Sequence, residues 1–124
     1  MDRTAVVPPW RCVTLFPQLE EIGPLDLAKA LDGAEPPLLL DVRTDEERAF
    51  AAIEPSLHIG LDELVERVAR EVPRTADVVV YCHTGRRSAQ VTMWLAANGW
   101  QRVRNLAGGI DEWSRQVDPS IPRY

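Results

Sequence analysis

Cysteine is scarce in this chain: there are two in 124 residues, Cys12 and Cys82. Two are too few for a disulfide framework, and the number fits a reducing compartment. An excess of positive charge is also missing. The formal net charge of −5 argues against a general nucleic-acid binder, so any anion site must be a local cationic spot in an acidic protein. No apolar run approaches membrane-spanning length, and the start, MDRTAVVPPW, lacks the apolar core of a signal peptide. The expectation is a soluble cytoplasmic protein with no membrane or nucleic-acid partner. Internal repeats and low-complexity tracts are absent as well. What the chain does have is 45% hydrophobic residues, which suits one compact domain whose core needs no staples.

Along the chain, residues 1–19 carry Pro8, Pro9 and Pro17 and read as an irregular arm, with one domain over residues 20–124. A short strand is expected around Glu20 to Gly23. Pro24 then opens a helix with Leu27, Ala28 and Leu31 on one face. LLLDV is a continuous apolar run and reads as a buried strand. Asp45 to Ala52 reads as a short helix with acids in its first turn, and Ser56 to Ile59 as a brief strand. Leu61, Leu64, Val65, Val68, Ala69 and Val72 follow helical spacing up to Pro73. Asp77 to Tyr81 is a second apolar strand, and Ser88 to Ala97 a largely apolar helix closed by Asn98-Gly99. A last strand, Val103 to Leu106, passes through Gly108-Gly109 into a helix with Ile110, Trp113 and Val117. Trp94 and Trp113 are expected to pack in the core. Strands apolar on both faces, alternating with helices, predict an α/β fold: an open, mainly parallel five-stranded sheet with helices on both faces. Ligand sites in such sheets lie at the carboxyl ends of the strands. Cys82 stands at one such end, and Asp41 to Arg43 at another.

The stretch YCHTGRRS, Tyr81 to Ser88, carries the most chemistry. A short loop containing Gly85 can curl its backbone N–H groups onto the Cys82 sulfur. The positive end of the following helix points at the same place, together with whichever of His83, Arg86 and Arg87 turn inward. All three effects favour thiolate over thiol. The same nest suits an oxyanion above the sulfur, so nucleophile and anion cradle share one loop, and no metal or cofactor is required. The plainer alternative, a small apolar residue ending a buried strand, does not explain two arginines and a glycine placed there. Cys12, beside Trp10 in a proline-bordered segment, keeps that plainer role.

CHTGRRS at the end of an apolar strand resembles the active-site loop of single-domain rhodaneses, a family of sulfurtransferases. LLLDVRTDEE resembles the family's first signature, and NLAGGIDEW the segment after its last strand, over roughly Ile22 to Pro122. The resemblance implies that Cys82 takes a sulfane sulfur from thiosulfate or another persulfide donor, becomes a persulfide, and yields the sulfur to a thiophilic acceptor, cyanide in the assay. It implies a cradle of backbone and side chains from His83, Thr84, Gly85, Arg86, Arg87 and Ser88, with Arg86 or Arg87 on the donor's oxyanion. Asp41 and Arg43 match the family's D-x-R, with Arg43 in a structural ion pair. The family's usual G-H-I-P turn is AAIEP here, so Ala52 replaces the expected histidine. His58 reads as a structural histidine. The tail VDPSIPRY resembles the ends of rhodanese domains fused behind adenylyltransferases that activate sulfur carriers. That hints at a carrier-protein acceptor, although packing of Ile121 and Tyr124 on the sheet explains the tail more simply.

Two alternatives remain. A related fold serves certain dual-specificity phosphatases and arsenate reductases, but their loop places arginine six positions after cysteine, whereas Arg87 lies five after Cys82. The tighter loop is better matched to a terminal sulfur than to a phosphoryl group. Non-catalytic rhodanese-like binding modules also exist, and those commonly lack the cysteine.

Overall fold

The computed structural model describes residues 18–124. Cys12, Trp10 and the arm's three prolines, and with them the expectations placed on that arm, lie outside the described residues. Five strands, β1 (Glu21–Ile22), β2 (Leu38–Asp41), β3 (Leu57–His58), β4 (Asp77–Tyr81) and β5 (Arg102–Leu106), form one sheet in the order β1-β5-β4-β2-β3, parallel at every pairing. Among the described residues, five α-helices connect and cover them: α1 (Pro24–Leu31), α2 (Asp45–Phe50), α3 (Leu64–Glu71), α4 (Arg86–Ala97) and α5 (Gly109–Gln116). The expected architecture is present.

Side chains alternate across a strand with period two, and that alternation sorts the core. Leu40, Val42, Val78, Val80 and Cys82 face one side, where Leu64, Val68, Val91 and Leu95 from α3 and α4 cover them. Leu39, Val79 and Tyr81 face the other side, under Leu27 of α1 and Ile110 and Trp113 of α5. Asp41 and Tyr81 thus leave the sheet on the face opposite Cys82, although all three stand at the same end of it. Among the described residues, no helix is long and apolar enough to cross a membrane.

Several sequence expectations need correction. The helix expected to start near Ser88 starts at Arg86, because Gly85, at φ +100°, completes the turn after Cys82 in so few residues. The stripe from Leu61 to Val72 divides. Leu61–Glu63 is a 3₁₀ turn, and α3 buries only Leu64 and Val68, with Val72 following. Val65 is 74% exposed, and Leu61 and Ala69 are exposed too. An eight-residue helix on this sheet buries one i, i+4 ridge, and the neighbouring ridge turns to solvent. Trp94 is likewise half exposed, off the Val91–Leu95 ridge, while Trp113 is buried as expected. The ends of α2, β1, β3 and β5 shift by one or two residues, as element ends commonly do.

Candidate active site

Cys82 follows the last residue of β4, and its sulfur is held from three sides. The Gly85 N–H reaches Sγ at 3.2 Å, the Ser88 N–H at 3.4 Å, and the Ser88 hydroxyl oxygen stands at 3.3 Å. Two of the three are backbone groups from the turn and the first turn of α4, where N–H groups have no helical partner. Such donors suit a sulfur that carries negative charge. The residue itself is 1% exposed.

The loop is fastened from behind by the segment NLAGGIDEW. The N–H groups of Ile110 and Asp111, at the start of α5, donate to the carbonyls of Cys82 (2.9 Å) and His83 (3.0 Å). Gly109 lies directly under those carbonyls with φ +62°. A Cβ there would collide with the His83 carbonyl oxygen and stand 2.6 Å from that of Cys82.

Asp41 and Arg43, both fully buried, form a forked pair: Nε to Oδ1 at 2.9 Å and Nη2 to Oδ2 at 2.8 Å. Burial pushes the Asp41 carboxyl up, but the Arg43 hydrogen bonds outweigh it and hold the group below the ordinary carboxylate range. Arg43 also donates to the Ala51 carbonyl at 2.6 Å and to the Tyr124 hydroxyl at 2.9 Å. His58 meets the Arg43 carbonyl through Nε2 at 2.7 Å. It has a structural partner and stands on β3, away from the sulfur.

Arg87 does not stand free for an anion. Its guanidinium forks onto Glu47, Nη1 to Oε1 at 2.7 Å and Nη2 to Oε2 at 2.9 Å. That bond, more than any other influence, holds the Glu47 carboxyl far below its ordinary range. The Tyr124 hydroxyl donates to the same carboxylate at 2.8 Å. Tyr124 therefore belongs to the site and not to the face of the sheet: its ring stacks on His83 at 3.9 Å with the planes 10° apart. Ile121, in contrast, packs beside the α5 core. Arg86 and Thr84 are exposed at the mouth of the loop. A cavity of about 390 Å³ opens beside it, with Arg43, Thr44, Glu46, Asp62 and Arg87 among its walls.

Four residues here have roles at the site that no sequence motif marked. Glu47 had a signal, since T-D-E-E is a capping box and Thr44 does cap α2 with Glu47 closing the box. Its second role, as the partner of Arg87, depends on a contact 40 residues away. Asn105, buried in β5, and Glu21, which it touches, form a polar pair within strands. Tyr124 carries no local pattern at all.

The family model for the rhodanese-like domain matches residues 24–116. A sulfurtransferase of Allochromatium vinosum is 37% identical over 103 residues, covering 83% of this chain and 95% of that protein. A maize adenylyltransferase and sulfurtransferase, MOCS3-1, is 32% identical over 118 residues, covering 90% of this chain and 25% of its own length, so the chain spans about a quarter of that relative. Among solved structures, a rhodanese-like domain protein from Staphylococcus aureus superposes with a TM-score of 0.73 at 28% identity, over 86% of this chain and 99% of that one. A parallel sheet of this order, a cysteine loop at the end of its central strand and a family match across three quarters of the sequence agree: the chain belongs to the rhodanese-like domain family.

Proposed function

We propose that the protein is a sulfurtransferase that carries sulfane sulfur on Cys82. The observation that carries this reading is the convergence of the Gly85 and Ser88 N–H groups on Sγ, in a turn so short that α4 begins four residues after the cysteine. In the first half-reaction the Cys82 thiolate attacks the outer sulfur of thiosulfate. A Cys–S–S⁻ bond forms, the donor's sulfur–sulfur bond breaks, and sulfite leaves with the electron pair. In the second, a thiophile such as cyanide takes the terminal sulfur as thiocyanate and restores the thiolate. Donors on the loop and the start of α4 stabilise the terminal sulfur's charge. Arg86, exposed at the first position of the helix, is the cation that meets the departing sulfite, because Arg87 is committed to Glu47. The same commitment weighs against phosphate-ester chemistry, which needs an arginine turned onto the phosphoryl oxygens.

Residues 20–124 are the working domain in this proposal and residues 1–19 an arm. Persulfides also serve as donors, and a sulfur-carrier protein is the acceptor class that the tail's resemblance suggests. Initial rates with thiosulfate and cyanide test the scheme. Parallel double-reciprocal lines are expected, and Cys82→Ser should lower thiocyanate formation by at least about 10³-fold, the scale on which loss of a covalent nucleophile is felt. Intersecting lines, or activity surviving in Cys82→Ser, would refute transfer through Cys82.

A further inference from the structure

Behind the sulfur runs a relay that sulfur transfer itself does not use: from Glu21, exposed on β1, through the buried Asn105 and Ser88 to Cys82. Asn105 is 1% exposed and Ser88 fully buried. The Asn105 amide nitrogen donates to a Glu21 carboxylate oxygen at 2.8 Å and to the Gly85 carbonyl at 3.2 Å. Both partners only accept, so the two amide hydrogens are spoken for and the amide cannot turn over without setting its oxygen against two other oxygens. Oδ1 therefore faces Ser88, 2.5 Å from its hydroxyl oxygen. An amide oxygen cannot donate, so the single Ser88 hydroxyl proton lies on that bond.

The consequence falls on the sulfur. With its proton held by Asn105, Ser88 presents a lone pair to Sγ across 3.3 Å. A protonated thiol can donate into that lone pair, whereas a thiolate meets it as a repulsion. From this geometry, and resting on the sulfur-transfer reading, we infer that Asn105 is a positioning residue: through Ser88 it withholds an O–H donor from the Cys82 thiolate. The inner sulfur of a persulfide has no proton and has passed its charge to the terminal sulfur, so it makes no demand on Ser88. The relay thus opposes the thiolate while leaving the persulfide undisturbed. It disfavours the free thiolate relative to the state in which Cys82 holds sulfur, while the backbone N–H groups of Gly85 and Ser88 supply the donors on which the thiolate relies.

Asn105→Leu removes the acceptor at nearly constant volume. The Gly85 carbonyl keeps the Ala89 N–H at 3.1 Å, so the main group set free is the Ser88 hydroxyl, whose remaining partner is the sulfur. The readout is the rate of alkylation by iodoacetamide against pH, quantified on the peptide carrying Cys82 so that Cys12 does not contribute. The midpoint should move down by about one pH unit in Asn105→Leu, as one hydrogen bond to a charged group predicts. In a Ser88→Ala background the same substitution should move nothing. The surrounding charges are Glu21 on β1, Glu47 on α2, Arg86 and Arg87 on α4, Asp111 on α5, and the His83 ring; all four proteins carry them unchanged, and they cancel in the cycle. An equal shift in both backgrounds, or none in either, overturns the inference. If Asn105→Leu does not fold, the wild-type protein still decides. In the Raman difference spectrum against Cys82→Ser, the Cys82 S–H stretch should be lowered by donation to Ser88; an S–H stretch typical of an unbonded thiol overturns it. Alkylation needs no sulfur donor, so failure here with persulfide still forming leaves the sulfur-transfer reading standing.

Discussion

Replacing Arg43 by methionine is expected to unfold the protein or leave it close to unfolding at room temperature. Methionine fills much the same space, so the effect is one of charge. Arg43 forks onto Asp41, and neither residue is reached by solvent. Without the guanidinium, the Asp41 carboxylate keeps only a bond from Arg48 at 3.2 Å, the Tyr81 hydroxyl at 3.1 Å and the Arg43 backbone N–H at 3.0 Å. Breaking a buried pair by removing one partner costs about 3–5 kcal/mol, a large share of the roughly 5–15 kcal/mol that holds a domain folded. The Ala51 carbonyl and the Tyr124 hydroxyl lose a donor at the same time. Urea unfolding followed by circular dichroism measures this. Arg67 is the comparison: on the solvent side of α3 it makes two ion pairs, with Glu63 just before the helix and Glu71 at its end, and Arg67→Ala should barely move the midpoint because solvent screens such pairs. If Arg43→Met shifts the midpoint no more than Arg67→Ala does, the buried pair is not what ties β2 to α2 and to the segment after α5.

The second large effect is expected on rate. Gly109→Ala should lower kcat/KM by about 10²-fold, the penalty attached to displacing a reacting group by about 1 Å. An alanine Cβ would point at the carbonyls of Cys82 and His83, the groups that α5 holds through the Ile110 and Asp111 N–H bonds. The backbone there also has φ +62°, which costs an L-residue about 1–2 kcal/mol. The relief available is for the cysteine loop to move away from α5, and Sγ then leaves its donors. Gly23→Ala is the matched control, since a Cβ at Gly23 meets nothing within 4 Å. Steady-state kinetics of both variants, with a thermal melt to show that each is folded, make the comparison. Equal activity in the two would mean that α5 does not set the position of the loop.

These two sites show what the sequence made legible. LLLDV and DVVVY are apolar on both faces and can only be strands covered on both sides, so the layered sheet followed from them, and the position of Cys82 at a strand end followed from the sheet. An ion pair at Arg43 was expected from the resemblance to D-x-R and because a buried arginine needs a partner; that the partner is Asp41, two residues away, is what the structure adds. Arg87 was harder. Its charge was plain, but whether it meets a substrate or a carboxylate depends on Glu47, brought over from α2 by the packing of β2 against β4. The stripe on α3 misled for a related reason: periodicity says which residues share a helix face, not how much of that face the sheet can cover. Tyr124 lay beyond any local pattern, since its stack on His83 joins two points 41 positions apart in a segment with no regular structure. Asn105 did leave a trace, a polar residue between Val103 and Leu106 in a strand buried at that end, and a buried amide in such a place needs partners of its own.

Cys82 is expected to accept a sulfur atom, and the mass of the intact protein reads that out. After incubation with thiosulfate and removal of the excess, the wild-type protein should be heavier by one sulfur atom. The gain should disappear on addition of cyanide, and Cys82→Ser should show none. A wild-type protein that stays at its original mass with thiosulfate, mercaptopyruvate and a cysteine-desulfurase persulfide alike, or a gain that persists in Cys82→Ser, would contradict the account.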